Sequence, residues 1–140
     1  MRFWDASAVV ALVLPEPRRD RLIDLLGPDP DLLVWWGTPV ECTSAIARRE
    51  REGALALDDA TAALDRLRLI GRQWHEVLPA DPVRSVALRL LRVHALRAAD
   101  SLQLAAAIVA AEHEPSALEF VSLDERLNGA ASREGFRILA

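Results

Sequence analysis

The apolar residues of this chain fall into short extended runs separated by longer stretches of helical period. Arg2-Phe3-Trp4 opens as a brief strand that stops at Asp5. Ala6 to Leu14 reads as a helix ended by Pro15 and Pro17, because proline removes a backbone donor and clashes with the preceding turn. Arg18 to Leu26, with apolar residues at Leu22, Ile23, Leu25 and Leu26, predicts a second helix, and Gly27-Pro28-Asp29-Pro30 a turn. Leu32 to Trp36 is continuously apolar and too short for an independent helix, which predicts a strand covered on both faces. Thr38-Pro39-Val40-Glu41 predicts a helix start with Thr38 as N-cap, proline in the first position and Glu41 closing a capping box. That helix runs to about Glu52 and stops at Gly53. Asp58 to His75 predicts another long helix, Glu76 to Leu78 a short strand, and Asp81-Pro82 the cap of a helix reaching His94.

Ala98 to Ala111 is apolar almost all round, with Asp100 as its one acid, so it predicts a buried helix. Leu118 to Leu123 reads as a strand, Asp124 to Arg133 as a short helix and Phe136 to Leu139 as a last strand, with Gly135 marking the turn before it. Strands alternating with helices predict an α/β fold of three layers: a central parallel sheet of four or five short strands flanked by helices, joined by right-handed crossovers. The two helices within residues 38–75 are expected to form an arm standing partly off the sheet. No repeat, low-complexity tract or linker breaks the pattern, and 140 residues suit a single domain spanning 1–140.

Composition narrows the class. Cys42 is the only cysteine, which excludes an intrachain disulfide and a thiolate metal cluster. No charged-then-apolar leader opens the chain and no apolar run is long enough to span a bilayer, so a cytoplasmic protein with no membrane association is expected. The formal net charge of −4 argues against a protein that simply coats nucleic acid. A nucleic-acid role would need a local basic rim, a metal ion, or both. All 17 basic residues are arginine, so every phosphate contact open to the chain is planar and capable of two parallel hydrogen bonds.

Four acids sit where strands hand over to helices, the place at which ligands collect in open α/β sheets. Asp5 ends the first strand, Glu41 lies in the first turn after the second, Asp100 opens the buried helix and Asp124 follows the strand ending near Leu123. Carboxylates sharing one cleft repel each other unless a cation neutralises them. Oxygen donors without interleaved histidine or cysteine suit Mg²⁺ or Mn²⁺ rather than zinc. Such an ion acidifies a bound water and screens charge on a phosphoryl oxygen, chemistry that fits phosphodiester hydrolysis. Each acid also has a plain structural use. Glu41 completes a capping box, Ser122 and Glu125 flank Asp124 in the same way, Asp100 favours a helix N-terminus, and Asp5 caps the helix after it.

At these residues the sequence resembles the PIN-domain family, and within it the VapC toxins. Asp5-Ala6-Ser7 resembles the opening motif and Glu41 in a capped helix the second. Leu96-Arg97-Ala98-Ala99-Asp100-Ser101-Leu102-Gln103-Leu104-Ala105 is close to the most diagnostic stretch. Phe120-Val121-Ser122-Leu123-Asp124-Glu125-Arg126-Leu127, followed by Ala131 and Gly135-Phe136, resembles the closing motif. Alanine at position 6, where a hydroxyl is common, and serine at 101, where a small apolar residue is usual, depart from the pattern without removing an acid.

The resemblance implies an Mg²⁺- or Mn²⁺-dependent endoribonuclease cutting a structured RNA such as a tRNA or rRNA loop. Its toxin role implies a VapB-like antitoxin as partner. Asp5, Glu41, Asp100 and Asp124 would be the catalytic, metal-binding acids, with Ser7 and Ser122 supporting them by hydrogen bonds. Arg97, three residues before Asp100, is a candidate for an RNA phosphate, with a plain surface arginine as the equal alternative. Arg48, Arg49 and Arg51 read first as a solvated face and second as an RNA contact. The helical arm is expected to wall the partner's groove or to serve a homodimer. Trp35 and Trp36 fit a buried strand better than a stacking platform, Cys42 a core position, and His75, His94 and His113 surface or packing positions. The rival readings are a PIN-fold module that binds RNA or protein without cutting, and a phosphohydrolase with an aspartyl nucleophile. The second lacks the usual acid two residues on, where Ser7 stands, and any lysine to hold phosphate.

Overall fold

A computed structural model describes residues 1–140. Five strands, β1 (Arg2–Trp4), β2 (Leu32–Trp35), β3 (His75–Val77), β4 (Glu119–Val121) and β5 (Arg137–Leu139), form one sheet in the order β3-β2-β1-β4-β5. All four neighbouring pairs are parallel. The helices are α1 (Ala6–Val13), α2 (Arg19–Leu26), α3 (Thr38–Arg51), α4 (Leu57–Gly71), α5 (Asp81–Val93), α6 (Ala98–Ala110) and α7 (Glu125–Arg133), with a 3₁₀ turn at Pro115–Ala117.

Alternation along each strand builds two cores. Trp4, Leu32, Val34 and Val121 point to one face and pack with α1 to α4 in a cluster of 18 buried residues. Phe3, Trp35 and Phe120 point to the other and pack with α5 to α7 in a cluster of 17. The near-equal halves cover the central strands β2, β1 and β4 on both faces, as continuous apolar strands require, while the edge strands β3 and β5 stay largely exposed. The chain lays β1, β2 and β3 outward in one direction, then crosses back to add β4 and β5 on the far side of β1. Strand order therefore reverses between β1 and β4, and the loops leaving those two strands diverge to opposite faces and open a crevice.

Several local expectations are corrected. The strand β2 ends at Trp35, which is buried, while Trp36 is 52% exposed rather than part of the buried run. Thr38 is not the N-cap of α3; Gly37 is, and Thr38 lies inside the helix, fully buried, with its hydroxyl engaged by α6. Glycine is required at 37 because a side chain there would run into the Trp35 indole, 2.6 Å from where its Cβ would lie. Neither expected capping box around Glu41 or Asp124 forms, and Asp81 sits within α5 after an Ala80 cap. The helix α4 stops at Gly71 instead of reaching His75, because the Trp74 ring folds against Gly71 and its indole N–H donates to Glu76. The α3–α4 pair packs chiefly on α1 rather than on the strands, with Cys42, Ile46, Ala60, Ala63 and Leu67 in the first core, so it stands partly off the sheet as expected. Gly135 does mark the last turn, at φ +104°, where a side chain would be strained.

One polar tie joins α5 to the end of α7. Arg89 makes two hydrogen bonds to Glu134, at 3.1 and 2.9 Å, and His94 Nε2 lies 2.7 Å from Glu134 Oε1. The Arg89 guanidinium, and then His94, hold the Glu134 carboxyl below its ordinary range. Such a lowered carboxyl adds stability at neutral pH that is lost as the pH falls through its folded value. Glu134→Ala is expected to lower the unfolding free energy by about 1–2 kcal/mol at pH 7, read from urea titrations, and by less near pH 3.

Candidate active site

The four acids all line one cleft of about 630 Å³ at the carboxyl edge of the sheet. Asp5 leaves β1 as the N-cap of α1, and its backbone N–H continues the β1–β4 pairing by donating to Val121 O at 2.9 Å. Asp124 leaves β4 as the N-cap of α7, accepting from Leu127 N at 3.1 Å. The two thus flank the reversal of strand order. Glu41 rises from the first turn of α3 after β2, and Asp100 from the first turn of α6.

Ser7 and Ser122 knit these loops together. Both hydroxyls donate to Asp5 Oδ2, Ser7 at 2.5 Å and Ser122 at 3.3 Å, and Ser7 N adds a third bond at 3.0 Å. In return Ser7 Oγ accepts from Leu123 N at 2.9 Å, and Ser122 Oγ from Asp124 N at 3.1 Å. The α1 start is thereby tied to the β4–α7 turn, and Asp5 is fixed at 4% exposure.

Each acid is tethered by one oxygen only. Asp5 uses Oδ2, Asp124 uses Oδ1 on Leu127 N, Asp100 uses Oδ2 on Arg97 N at 3.2 Å, and Glu41 uses Oε1 on Gln103. The second oxygen of each has no hydrogen-bond partner in the protein, and none is among the buried orphaned atoms, so all four remain reachable from the cleft. The capping and cleft uses of these acids are therefore compatible. No salt bridge neutralises any of them.

Their charge is felt locally. Burial pushes the Glu41 carboxyl up to about 7, and the charges of Asp5 and Asp100 add to the rise. Asp5 is also raised, by burial first and then by Asp124, against the lowering effect of the serine hydrogen bonds. Cys42, fully buried beside them, has its thiol pushed up by burial and by Glu41, which makes it inert.

Sequence reasoning missed Gln103. It is fully buried on α6, and its Nε2 bridges Thr38 Oγ1 and Glu41 Oε1, each at 3.1 Å. The available signal was a lone amide in an otherwise apolar helix, three residues after Asp100 and so on the same face. Arg48 and Arg49, expected first as a solvated face, line the cleft with Arg97. None of the three histidines does.

Oxygen donors from four elements, gathered in one cleft without a cationic partner, have the chemistry of a hard divalent cation site. No three of them stand close enough to form a ready-made cage, so an ion would draw the free oxygens inward.

Sheet order, helical layers and cleft position define a PIN-like α/β fold. The crystal structure of FitAcB from Neisseria gonorrhoeae is similar over 100% of this chain and 97% of that one, with a TM-score of 0.66 at 17% sequence identity. No family model matches the chain, and no curated protein matches it by sequence. No helix is long and apolar enough to cross a membrane.

Proposed function

We propose that this chain is an Mg²⁺- or Mn²⁺-dependent endoribonuclease, the toxin of a VapBC-like pair that cuts a structured RNA and is held in check by a cognate VapB-like antitoxin. The observation that carries this reading is that four carboxylates from separate parts of the chain each keep one free oxygen facing the same cleft, at the reversal of strand order. The motif resemblance and the PIN-like fold support the same reading.

Asp5, Glu41, Asp100 and Asp124 would hold the cation, directly or through water. When bound, it supplies acidification of a water and screening of charge on the phosphoryl oxygen. The chain's own parts have distinct jobs. Ser7 and Ser122 hold Asp5 in place through hydrogen bonds that favour its charged form, against the burial that raises it. Glu41, raised to about 7 by burial and by Asp5 and Asp100, would give up its proton as the cation is held at its free Oε2. Gln103 orients Glu41 from below, and Gln103→Leu is expected to weaken Mn²⁺ binding about 10–100-fold, measured by calorimetry, with the fold retained by far-ultraviolet dichroism.

The test is cleavage of tRNA and rRNA fragments with Mn²⁺ or Mg²⁺, against the same reaction in chelator. Metal-dependent cuts at internal positions support the reading; RNA left intact under every divalent ion overturns it. The alternative is a PIN-fold module that binds RNA or protein without cutting, a role to which Arg48, Arg49 and Arg97 in the cleft lining are equally suited. Tight RNA binding that is indifferent to metal, with no cleavage, would assign the chain to that class.

A further inference from the structure

Of the four arginines that line the cleft only Arg18 is paired, with Glu16 at 3.2 Å. Arg48, Arg49 and Arg97 line it beside the four acids, yet no salt bridge joins any of them to a carboxylate. In Arg49 the Nη1 nitrogen is buried with no hydrogen-bond partner, an unsatisfied donor that a bound anion would complete. The acids and these arginines are thus both held open, one set for a cation and the other for an anion.

Their placement orders that anion. Arg48 and Arg49 lie on α3, in the layer of α1 to α4, while Arg97 precedes α6 and Arg126 lies on α7, in the opposite layer. Arg97 and Arg126 line a second depression that adjoins the cleft through Asp100 and Asp124. The acids stand between the layers, on the sheet edge. A path across that edge meets guanidiniums, then carboxylates, then guanidiniums again. Arginine binds phosphate through two parallel hydrogen bonds, so each set matches a backbone phosphate. Asp5 is 4% exposed, so the reacting phosphate must descend to the cleft floor, which a flexible single strand does and a rigid duplex does not.

Resting on the ribonuclease reading above, we infer that the cleft takes an internal stretch of single-stranded RNA laid across the sheet edge, its flanking phosphates held by Arg48 and Arg49 on one side of the reacting phosphate and by Arg97 and Arg126 on the other. A strand entering by its end would fill one set only. The overall charge of −4 repels RNA at a distance, so affinity depends on these local contacts.

The experiment is equilibrium binding of a synthetic twelve-nucleotide single-stranded RNA in Ca²⁺, by fluorescence anisotropy over a salt series, with gels to verify that the RNA stays whole. Arg49→Ala and Arg97→Ala are each expected to reduce the slope of log affinity against log salt by about 0.7, and the double variant by about 1.4. Arg51→Ala, on α3 but outside the cleft lining, is expected to leave the slope unchanged. With single phosphates neutralised as methylphosphonates, the loss caused by Arg49→Ala should vanish for one group of positions, and that caused by Arg97→Ala for another. Melting curves identify any variant that fails to fold, and Arg49→Lys and Arg97→Lys, which keep the charge, then serve for the phosphate map. Unchanged slopes in both alanine variants, or one shared group of phosphates, overturn the inference. So does a poly-glutamate peptide that displaces the RNA and loses affinity in the same variants, since the arginines would then serve an acidic protein partner. RNA bound across both sets but uncut in Mn²⁺ sinks the ribonuclease reading and spares this one; RNA cut in Mn²⁺ with slopes unchanged does the reverse.

Discussion

Replacing Asp5 by asparagine is expected to lower metal-dependent RNA cleavage by more than about 100-fold, the upper range for losing a group that merely supports a metal ligand. The same variant is expected to be at least as stable as the native chain without metal. Asparagine caps helices as well as aspartate does, and its side-chain oxygen still accepts from Ser7 and Ser122. It also removes a buried charge that Asp124 opposes. Thermal melting and cleavage therefore separate two roles. A purely structural Asp5 predicts melting and cleavage that both stay near native. A metal-holding Asp5 predicts lost cleavage, an unchanged or higher melting temperature, and loss of the stabilisation that Mn²⁺ gives the native protein. Cleavage within a few-fold of native would sink the proposed site.

The second large effect is a coupling of pH, metal and stability. The Glu41 carboxyl is raised from 4.5 to about 7, so between these values the folded chain holds a proton that the unfolded chain has released. Where the folded state binds more protons, stability falls as pH rises. The cost is absent below about 4.5 and complete above about 7; Asp5, also raised, acts in the same direction. Glu134 acts oppositely, because its lowered carboxyl loses stability as the medium turns acid. Metal-free protein is thus expected to be most stable in mildly acid solution. A cation must displace the Glu41 proton to bind, so Mn²⁺ should stabilise strongly at pH 8 and little at pH 5. At 100 times its dissociation constant the gain is about 2.7 kcal/mol, on the order of 10 °C in melting temperature. Equal shifts at both pH values would mean that the ion binds elsewhere.

The candidate acids were legible because each lies at a boundary written locally. Trp4 to Asp5 and Leu123 to Asp124 are points where an apolar run stops at a residue that caps a helix. Their partners were not legible. Gln103 and Glu41 are 62 residues apart, and nothing in either neighbourhood names the other. Thr38 looked like a cap because its sequence context is that of one; burial against α6 gave its hydroxyl a different partner. Arg48 and Arg49 looked solvated because alternating charge on a helix is usually outside. The packing of α3 against α1 turns them toward the acids instead. Trp36 looked buried because hydrophobicity alone cannot say where a strand ends.

The sequence by itself determined the kinds of element, their order, and the placing of each acid at a handover from strand to helix, since periodicity, proline and glycine act over a few residues. Only the tertiary structure decided that β4 returns to lie beside β1, which brings Ser122 and Asp124 to Asp5 across more than a hundred residues. Pairing between parallel strands is settled by which buried faces fill the two layers together, and that is a property of the whole packed chain rather than of any segment.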